Sequence, residues 1–231
     1  MANDRFTSPL FVSMRFVAQR MMLKPLVWTL TRVQIHGRKK LRDLPEAFVV
    51  VANHSSHLDA PLVMGSMPWG SARFLAAGAA ADYFFDVKWR KWLTALFFNA
   101  YPVDRGGTRK SPGLSKGLLE RGVPLLIFPE GGRSATGELG VFKPGAAALA
   151  ISSDVPCLPV AIVGANVAMP RGQNWPSNGR LRVGIVFGSP MRHHSGESPE
   201  SFSIRLAQEV VRLHSTISID GVPPIEAKEK Q

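Results

Sequence analysis

The stretch Phe48-Val49-Val50-Val51-Ala52-Asn53-His54-Ser55-Ser56-His57-Leu58-Asp59 passes in one step from an apolar run to a polar cluster. A short, continuous, β-branched run reads as a strand buried on both faces, which is the environment of a sheet covered by helices. Polar groups placed where such a strand ends sit where α/β proteins collect their sites. The chain on either side repeats the pattern. Val123–Phe128, Val155–Val163 and Leu181–Phe187 read as strands between Gly and Pro breaks, with Arg73–Ala77 a weaker one and a short one entering Tyr101-Pro102-Val103. Between them, Ala60–Met67, Val87–Phe98, Ser111–Glu120, Gly145–Ser152 and Pro199–Ile217 read as helices. The alternation predicts an α/β fold: a mixed, largely parallel sheet flanked by helices.

Within the first cluster, His54 and Asp59 are five residues apart, a spacing that a tight turn into a helix folds back on itself. A carboxylate held to one imidazole nitrogen fixes the tautomer and leaves the other nitrogen as a base. That is two-thirds of a nucleophilic triad, with the hydroxyl left to the substrate. Other readings stay open. Ser and Asp here also suit a helix cap, and His54 and His57 at i, i+3 suit two metal ligands, although no third ligand of clear spacing follows.

Three more blocks carry polar chemistry. Phe128-Pro129-Glu130-Gly131-Gly132-Arg133-Ser134 runs from a strand into a glycine turn. Adjacent glycines let backbone amides approach an anion, and Arg133 adds a planar fork. Glu130 repels an anion, so it orients an arginine, accepts from a substrate hydroxyl or organises the turn. In Tyr101-Pro102-Val103-Asp104-Arg105-Gly106-Gly107, Arg105 is a phosphate-clamp candidate and Asp104 its partner. Val155-Pro156-Cys157-Leu158-Pro159-Val160 has two prolines bracketing an apolar strand entry, where proline suits a strand's first residue or an edge, and is expected to shape the site rather than react. Cys157, the single cysteine, reads as a buried strand thiol.

The chain has 231 residues, a formal net charge of +11 and 19% charged residues, below the usual share. A positive field of that size attracts nucleic acid, anionic headgroups or phosphorylated substrates. From Met1 to Arg42 there are nine Lys or Arg against one acidic residue, Asp4. Leu10, Met14, Val17 and Met21 recur at helical spacing over a helix expected from 5 to 32, which Pro25 kinks or ends. Basic, amphipathic and aromatic, residues 1–42 read as an N-terminal helical membrane-docking element, with 43–222 the folded domain and 223–231 a loose tail. Lys88-Trp89-Arg90-Lys91-Trp92 is a second interfacial candidate. No run of about 18 uninterrupted apolar residues suggests a spanning helix, and no cleavable signal peptide is evident. The expected location is therefore membrane-associated, peripheral or monotopic. No nucleic-acid reader motif is evident.

The four blocks, in this order, resemble the glycerolipid acyltransferase family, in particular the 1-acylglycerol-3-phosphate acyltransferases. The resemblance spans about residues 45 to 190: Asn-His-x4-Asp at Asn53, His54 and Asp59; an arginine block at Arg105; six of seven positions of Phe-Pro-Glu-Gly-Thr-Arg-Ser from Phe128 to Ser134; and a Val-Pro-x-x-Pro-Val run at Val155–Val160. Lys143-Pro144-Gly145-Ala146 matches a further family feature. The resemblance implies His54 as general base with Asp59 as its orienter. It implies Arg105 on the acceptor phosphate, with Glu130, Gly131, Gly132, Arg133, Ser134 and Lys143 around the glycerol-phosphate part. The donor would be an acyl-CoA or acyl-carrier-protein thioester, with no cofactor and no metal. The partners would be a membrane surface with anionic lipids, on the cytoplasmic face, and a lysophospholipid acceptor. Two departures stand out. Gly132 replaces the usual Thr, and Ala77-Gly78 follow Phe74-Leu75-Ala76 where relatives carry a Lys. An acyl groove is expected along Phe84, Phe85, Leu96 and Phe97. Competing readings are an acyltransferase acting on glycerol-3-phosphate or another lyso-glycerolipid or glycolipid, and a non-enzymatic anionic-membrane module.

Overall fold

The computed structural model describes residues 5–80, 88–103, 112–134, 136–219, 221–222 and 225. In chain order the helices are α1 (Pro9–Phe16), α2 (Lys24–Leu30), α3 (Asp59–Ser66), α4 (Trp69–Ala72), α5 (Lys88–Phe98), α6 (Pro112–Glu120), α7 (Gly145–Ser152), α8 (Ala165–Ala168) and α9 (Pro199–His214). The strands are β1 (Arg32–His36), β2 (Val49–Ala52), β3 (Ala76–Ala80), β4 (Tyr101–Val103), β5 (Leu125–Ile127), β6 (Cys157–Val163) and β7 (Arg182–Phe187). Among the described residues they form a seven-stranded sheet in the order β1-β7-β6-β2-β5-β3-β4. Every neighbouring pair is parallel except β6 and β7, which are antiparallel. The mixed, largely parallel α/β sheet expected from the sequence is present.

β2 and β6 are buried along their whole length, as strands with a helical layer on each face must be. Alternate side chains of β2 divide between two cores. Val49 and Val51 pack with α6, α7 and α9 through Leu118, Ala147 and Phe202. Val50 and Ala52 pack on the other face with Leu62, Val63 and Phe187. Cys157 is fully buried on β6, and burial pushes its thiol up to about 12.

The N-terminal segment differs from its expected form at its end. Residues 32–36 are not helical: Arg-Val-Gln-Ile-His alternates with period two and pairs in register with β7, so the sheet begins inside the 1–42 segment. Of the two outcomes open to Pro25, it does not end the helix, and residues 26–28 are helical. A π-helical turn, Val17–Leu23, precedes it and merges into α2, and a wide turn accommodates a proline that cannot donate to the ladder. Of the 223–231 segment only Ile225 is described, and it is buried. No helix among the described residues is long and apolar enough to cross a membrane.

The polarity of this segment is turned inside out. Arg15, 2% exposed, donates to the carbonyls of Arg5 and Phe6. Gln19 donates to Phe97 O at 2.7 Å. Arg20 donates to Met64 O, Gly65 O and Met67 O, and Arg38 to Ser66 O. Those are the last carbonyls of α3 and its exit, which a helix leaves without partners and where its dipole favours cations. The apolar stripe meanwhile points outward: Leu10, Val17, Met21 and Met22 are 67%, 52%, 65% and 58% exposed.

Candidate active site

The loop after β2 is built to hold one imidazole. Asn53 donates from Nδ2 to Ile162 O and accepts at Oδ1 from Ile162 N, both at 2.8 Å, which continues the β2–β6 ladder through a side chain. The next residue, His54, is then held on four sides. Its N–H donates to Glu130 Oε1 at 2.6 Å, and its carbonyl accepts from Ser134 N at 2.8 Å. Its ring stacks on Phe128 with centroids 4.1 Å apart. Its Nδ1 lies 2.7 Å from Asp59 Oδ2.

Asp59 is fully buried at the first residue of α3. The same Oδ2 accepts from Ser55 N at 2.7 Å and Ser56 N at 2.8 Å. The turn from 53 to 59 therefore closes around one carboxylate oxygen, and the carboxylate stands at the helix N-terminus, where the dipole favours negative charge. The orienting contact is present and the capping one is not: α3 has no side-chain cap hydrogen bond, and the carboxylate that faces His54 is fixed by the loop amides before the helix. With Nδ1 as donor to Asp59, Nε2 is the nitrogen left as acceptor; the tautomer follows from the hydrogen bond.

His54 lines a cavity of about 300 Å³ whose wall is mostly small and apolar: Ala60, Ala77, Gly78, Ala79, Ile127 and Val103, with Thr94 and Phe98 from α5. The expected groove residues are placed differently. Leu96 and Phe97 do not line this cavity; one helical turn carries Thr94 and Phe98 there instead, while Phe97 lies toward the π-helical turn, where its carbonyl meets Gln19. Phe84 and Phe85 lie outside the described residues. Ala77 and Gly78, which differ from the family pattern, form part of the wall; a Cβ on Gly78 would stand 3.0 Å from Val103. His57 lines the same cavity, and its imidazole is held below its ordinary value by burial, then by Arg133 and His54.

The glycine turn after β5 abuts the His54 loop. Glu130 Oε1 accepts from His54 N, and Oε2 accepts from Gly140 N at 2.8 Å. Of the roles open to it, this geometry supplies the organiser of the turn: both oxygens hold backbone amides of two loops. Burial raises its carboxyl above the usual range, while the two backbone donors pull it back. Gly131 has a φ of 74°, left-handed backbone that favours glycine. A Cβ there would lie 2.8 Å from Lys143 Nζ, so the lysine covers the turn. Gly131 and Gly132 line the cavity. Arg133 borders His57, and its carbonyl accepts from Arg171. Ser134 ties its N–H to His54 O and its hydroxyl to Gly137 N. Arg105 and Asp104 lie outside the described residues, as do the side chains of Lys88, Trp89, Arg90 and Lys91; Trp92 is exposed.

Sequence reasoning left several of these parts without a role. Asn53 is the clamp to β6, Phe128 the platform under His54, and Gly140 the second partner of Glu130. Asn53 and Phe128 stood in the motif blocks themselves. For Gly140 the signal is spatial only: a Cβ on it would lie 2.8 Å from Glu130 Oε2.

The structure is thus an α/β domain in which a histidine in contact with a carboxylate, at the carboxyl edge of a central parallel strand, lines an apolar cavity. The chain belongs to the acyltransferase family, whose sequence profile matches residues 32–163. A 1-acyl-sn-glycerol-3-phosphate acyltransferase of Chlamydomonas reinhardtii is 31% identical over 157 residues, covering 67% of this chain and 44% of that protein. A chloroplastic enzyme of the same name from Brassica napus is 28% identical, over 71% of this chain and 47% of its own. The chain thus spans about half the length of these curated relatives. The crystal structure of the 1-acyl-sn-glycerophosphate acyltransferase PlsC from Thermotoga maritima shares the fold, with a TM-score of 0.70 at 23% identity over 89% of this chain and 79% of that one.

Proposed function

We propose that this protein transfers a fatty acyl chain from an acyl-CoA or acyl-carrier-protein thioester to the free hydroxyl of 1-acylglycerol-3-phosphate, giving phosphatidic acid at a membrane surface. The observation that carries the reading is the His54 Nδ1–Asp59 Oδ2 contact of 2.7 Å at the mouth of an apolar cavity. The names of the relatives favour this acceptor over other lyso-glycerolipids.

In the proposed reaction His54 Nε2 takes the proton of the acceptor hydroxyl as its oxygen attacks the thioester carbonyl. The new C–O bond forms, the tetrahedral adduct collapses, and the C–S bond breaks. The imidazolium then gives its proton to the departing thiolate. Asp59 holds the ring and offsets its positive charge; general-base help of this kind is worth about 10²–10⁴-fold. Gly131, Gly132, Arg133 and Lys143 border the cavity or its rim and are the described residues proposed to meet the glycerol-phosphate part, with Arg105 as the phosphate clamp. The outward stripe of Leu10, Val17, Met21 and Met22 supports docking of α1, the π-helical turn and α2 in one leaflet.

The test incubates the protein and its His54→Ala variant with palmitoyl-CoA and 1-acylglycerol-3-phosphate in anionic vesicles, with product read by mass spectrometry. Phosphatidic acid from the wild type and little from the variant is expected. Equal product from both would sink the His54 mechanism. Product on another lyso-acceptor only would replace the acceptor.

A further inference from the structure

The sheet edge that carries His54 extends past β6 to a second cavity that the acyl-transfer chemistry does not use. It lies at the start of β7 and β1 and is lined by Arg32, Arg180, Arg182, Gly179, Val167 and Ile219, among others. No carboxylate lines it among the described residues. Arg32 and Arg182 are register partners on neighbouring strands. Arg180 holds left-handed backbone, with a φ of 51°, a conformation few residues other than glycine adopt. Its guanidinium donates to Trp28 O on α2. Topology places this pocket on a defined side of the molecule. β7 is antiparallel to β6 and β1 is parallel to β7, so their first residues lie at the same edge as the carboxyl ends of β2 and β6. Two to three strand spacings separate it from the His54 turn, roughly 10–15 Å. The loop 169–180 joins the two places. Met169 O accepts from Ser56 Oγ, Arg171 donates to Arg133 O, and the loop ends at Gly179 and Arg180. Midway it exposes Trp175. An exposed Trp between arginines is the composition of a segment at headgroup depth.

We propose that this pocket binds the phosphate headgroup of an anionic membrane lipid that is not the substrate. It thereby sets the rotation of the protein on the leaflet so that the His54 cavity meets the lipid surface. The proposal rests on the docking of α1 and α2 in that leaflet. Those helices supply apolar depth and the pocket supplies the preference for negative charge.

The test measures partitioning of the full chain into phosphatidylcholine vesicles with and without phosphatidylglycerol. The Arg32→Gln, Arg180→Gln double variant is expected to lose about 30-fold in the preference for the anionic vesicles, about fivefold per arginine, with partitioning into pure phosphatidylcholine unchanged. Arg32→Lys with Arg180→Lys keeps the charge and most of the preference. Should the double Gln variant not fold, the single variants carry the same test. A double variant with wild-type preference overturns the pocket. Wild type that binds both vesicles equally also overturns it, yet leaves helix docking standing. Wild type that binds neither vesicle overturns the docking reading, and the headgroup assignment with it. Saturable, Arg32-dependent binding of inorganic phosphate without vesicles overturns the lipid assignment in favour of a soluble phosphate.

Discussion

Replacing Glu130 with Gln separates an organiser of the site from a group that touches substrate. The carboxylate accepts from His54 N at 2.6 Å and Gly140 N at 2.8 Å. Gln has the same shape but one acceptor oxygen, so its NH2 must face one of those two donors. A buried donor left without a partner costs about 1–3 kcal/mol. Burial already disfavours the ionised carboxylate, and the neutral amide recovers part of that, which brings the expected loss to about 1–2 kcal/mol. For a chain of this size that lowers Tm by about 2–8 °C. The same change loosens the backbone on which His54 is mounted, and a misplacement of about 1 Å costs up to about 100-fold in rate. Thermal denaturation and steady-state kinetics, with donor saturating and acceptor varied, read both effects together. The expected result is a lower Tm and a lower kcat with little change in acceptor KM. An unchanged Tm with only the acceptor KM raised would refute the reasoning and return Glu130 to the acceptor.

Asp59→Asn keeps the size of the buried side chain but presents an uncharged group to His54, so kcat/KM falls by about 10²–10⁴; a loss below about tenfold would remove Asp59 from the mechanism. Gly132→Thr restores the hydroxyl usual in relatives. A Cβ at Gly132 meets nothing within 4 Å, so stability stays within about 0.5 kcal/mol while acceptor KM changes; a clear drop in Tm would contradict the open site. Stability also falls with acid through His214, which is buried and held down to about 4 against 6.5 by desolvation. The unfolded chain then binds the extra proton between those values, so unfolding free energy declines by about 3 kcal/mol as pH drops from 6.5 to 4. Urea titrations of the wild type and His214→Gln across that range should show the slope in the first and its reduction in the second. Parallel slopes would reject His214 as the source.

Periodicity carried most of the fold. Six of the seven described strands and the longer described helices fall within a few residues of where β-branched runs and helical spacings put them, because those elements bury the faces that the pattern marks. β1 escaped because Arg32-Val33-Gln34-Ile35-His36 is an edge strand, exposed and intermediate by turns, and five residues of alternation were absorbed into the basic segment before them. The His54–Asp59 pair was legible because its partners are close in sequence and the turn is local. Glu130 was ambiguous because its partners, His54 and Gly140, are set by tertiary packing and contribute only backbone amides, which no side-chain pattern announces. Leu96 and Phe97 were misplaced for a related reason: a helix amphipathic enough to be recognised still leaves open which apolar residues face the core and which the cavity.

The inverted N-terminal helix and the placement of the cavity answer the same physical demand. An acyl chain of about sixteen carbons carries about 12 kcal/mol of transfer free energy at about 0.8 kcal/mol per methylene, so a site reached through water would be slow to load and slow to empty. The proposed reaction therefore needs its cavity to open where the leaflet is. α5 makes that connection. One side carries Thr94 and Phe98 into the cavity. Toward the N-terminal helices, Phe97 O accepts from Gln19. Arg20 anchors the same layer to the exit of α3, the helix whose first residue is Asp59. Polar groups face inward here because α3 and α5 present unpaired carbonyls, and that use of Arg and Gln is what frees Leu10, Val17 and Met21 to face out. If this coupling is right, Arg20→Ala lowers Tm and lipid-dependent activity together. A soluble short-chain acceptor should recover little of the loss, because the α3 exit, and through the helix its first residue Asp59, has lost its anchor. Full recovery on the short-chain acceptor would show instead that Arg20 serves docking alone.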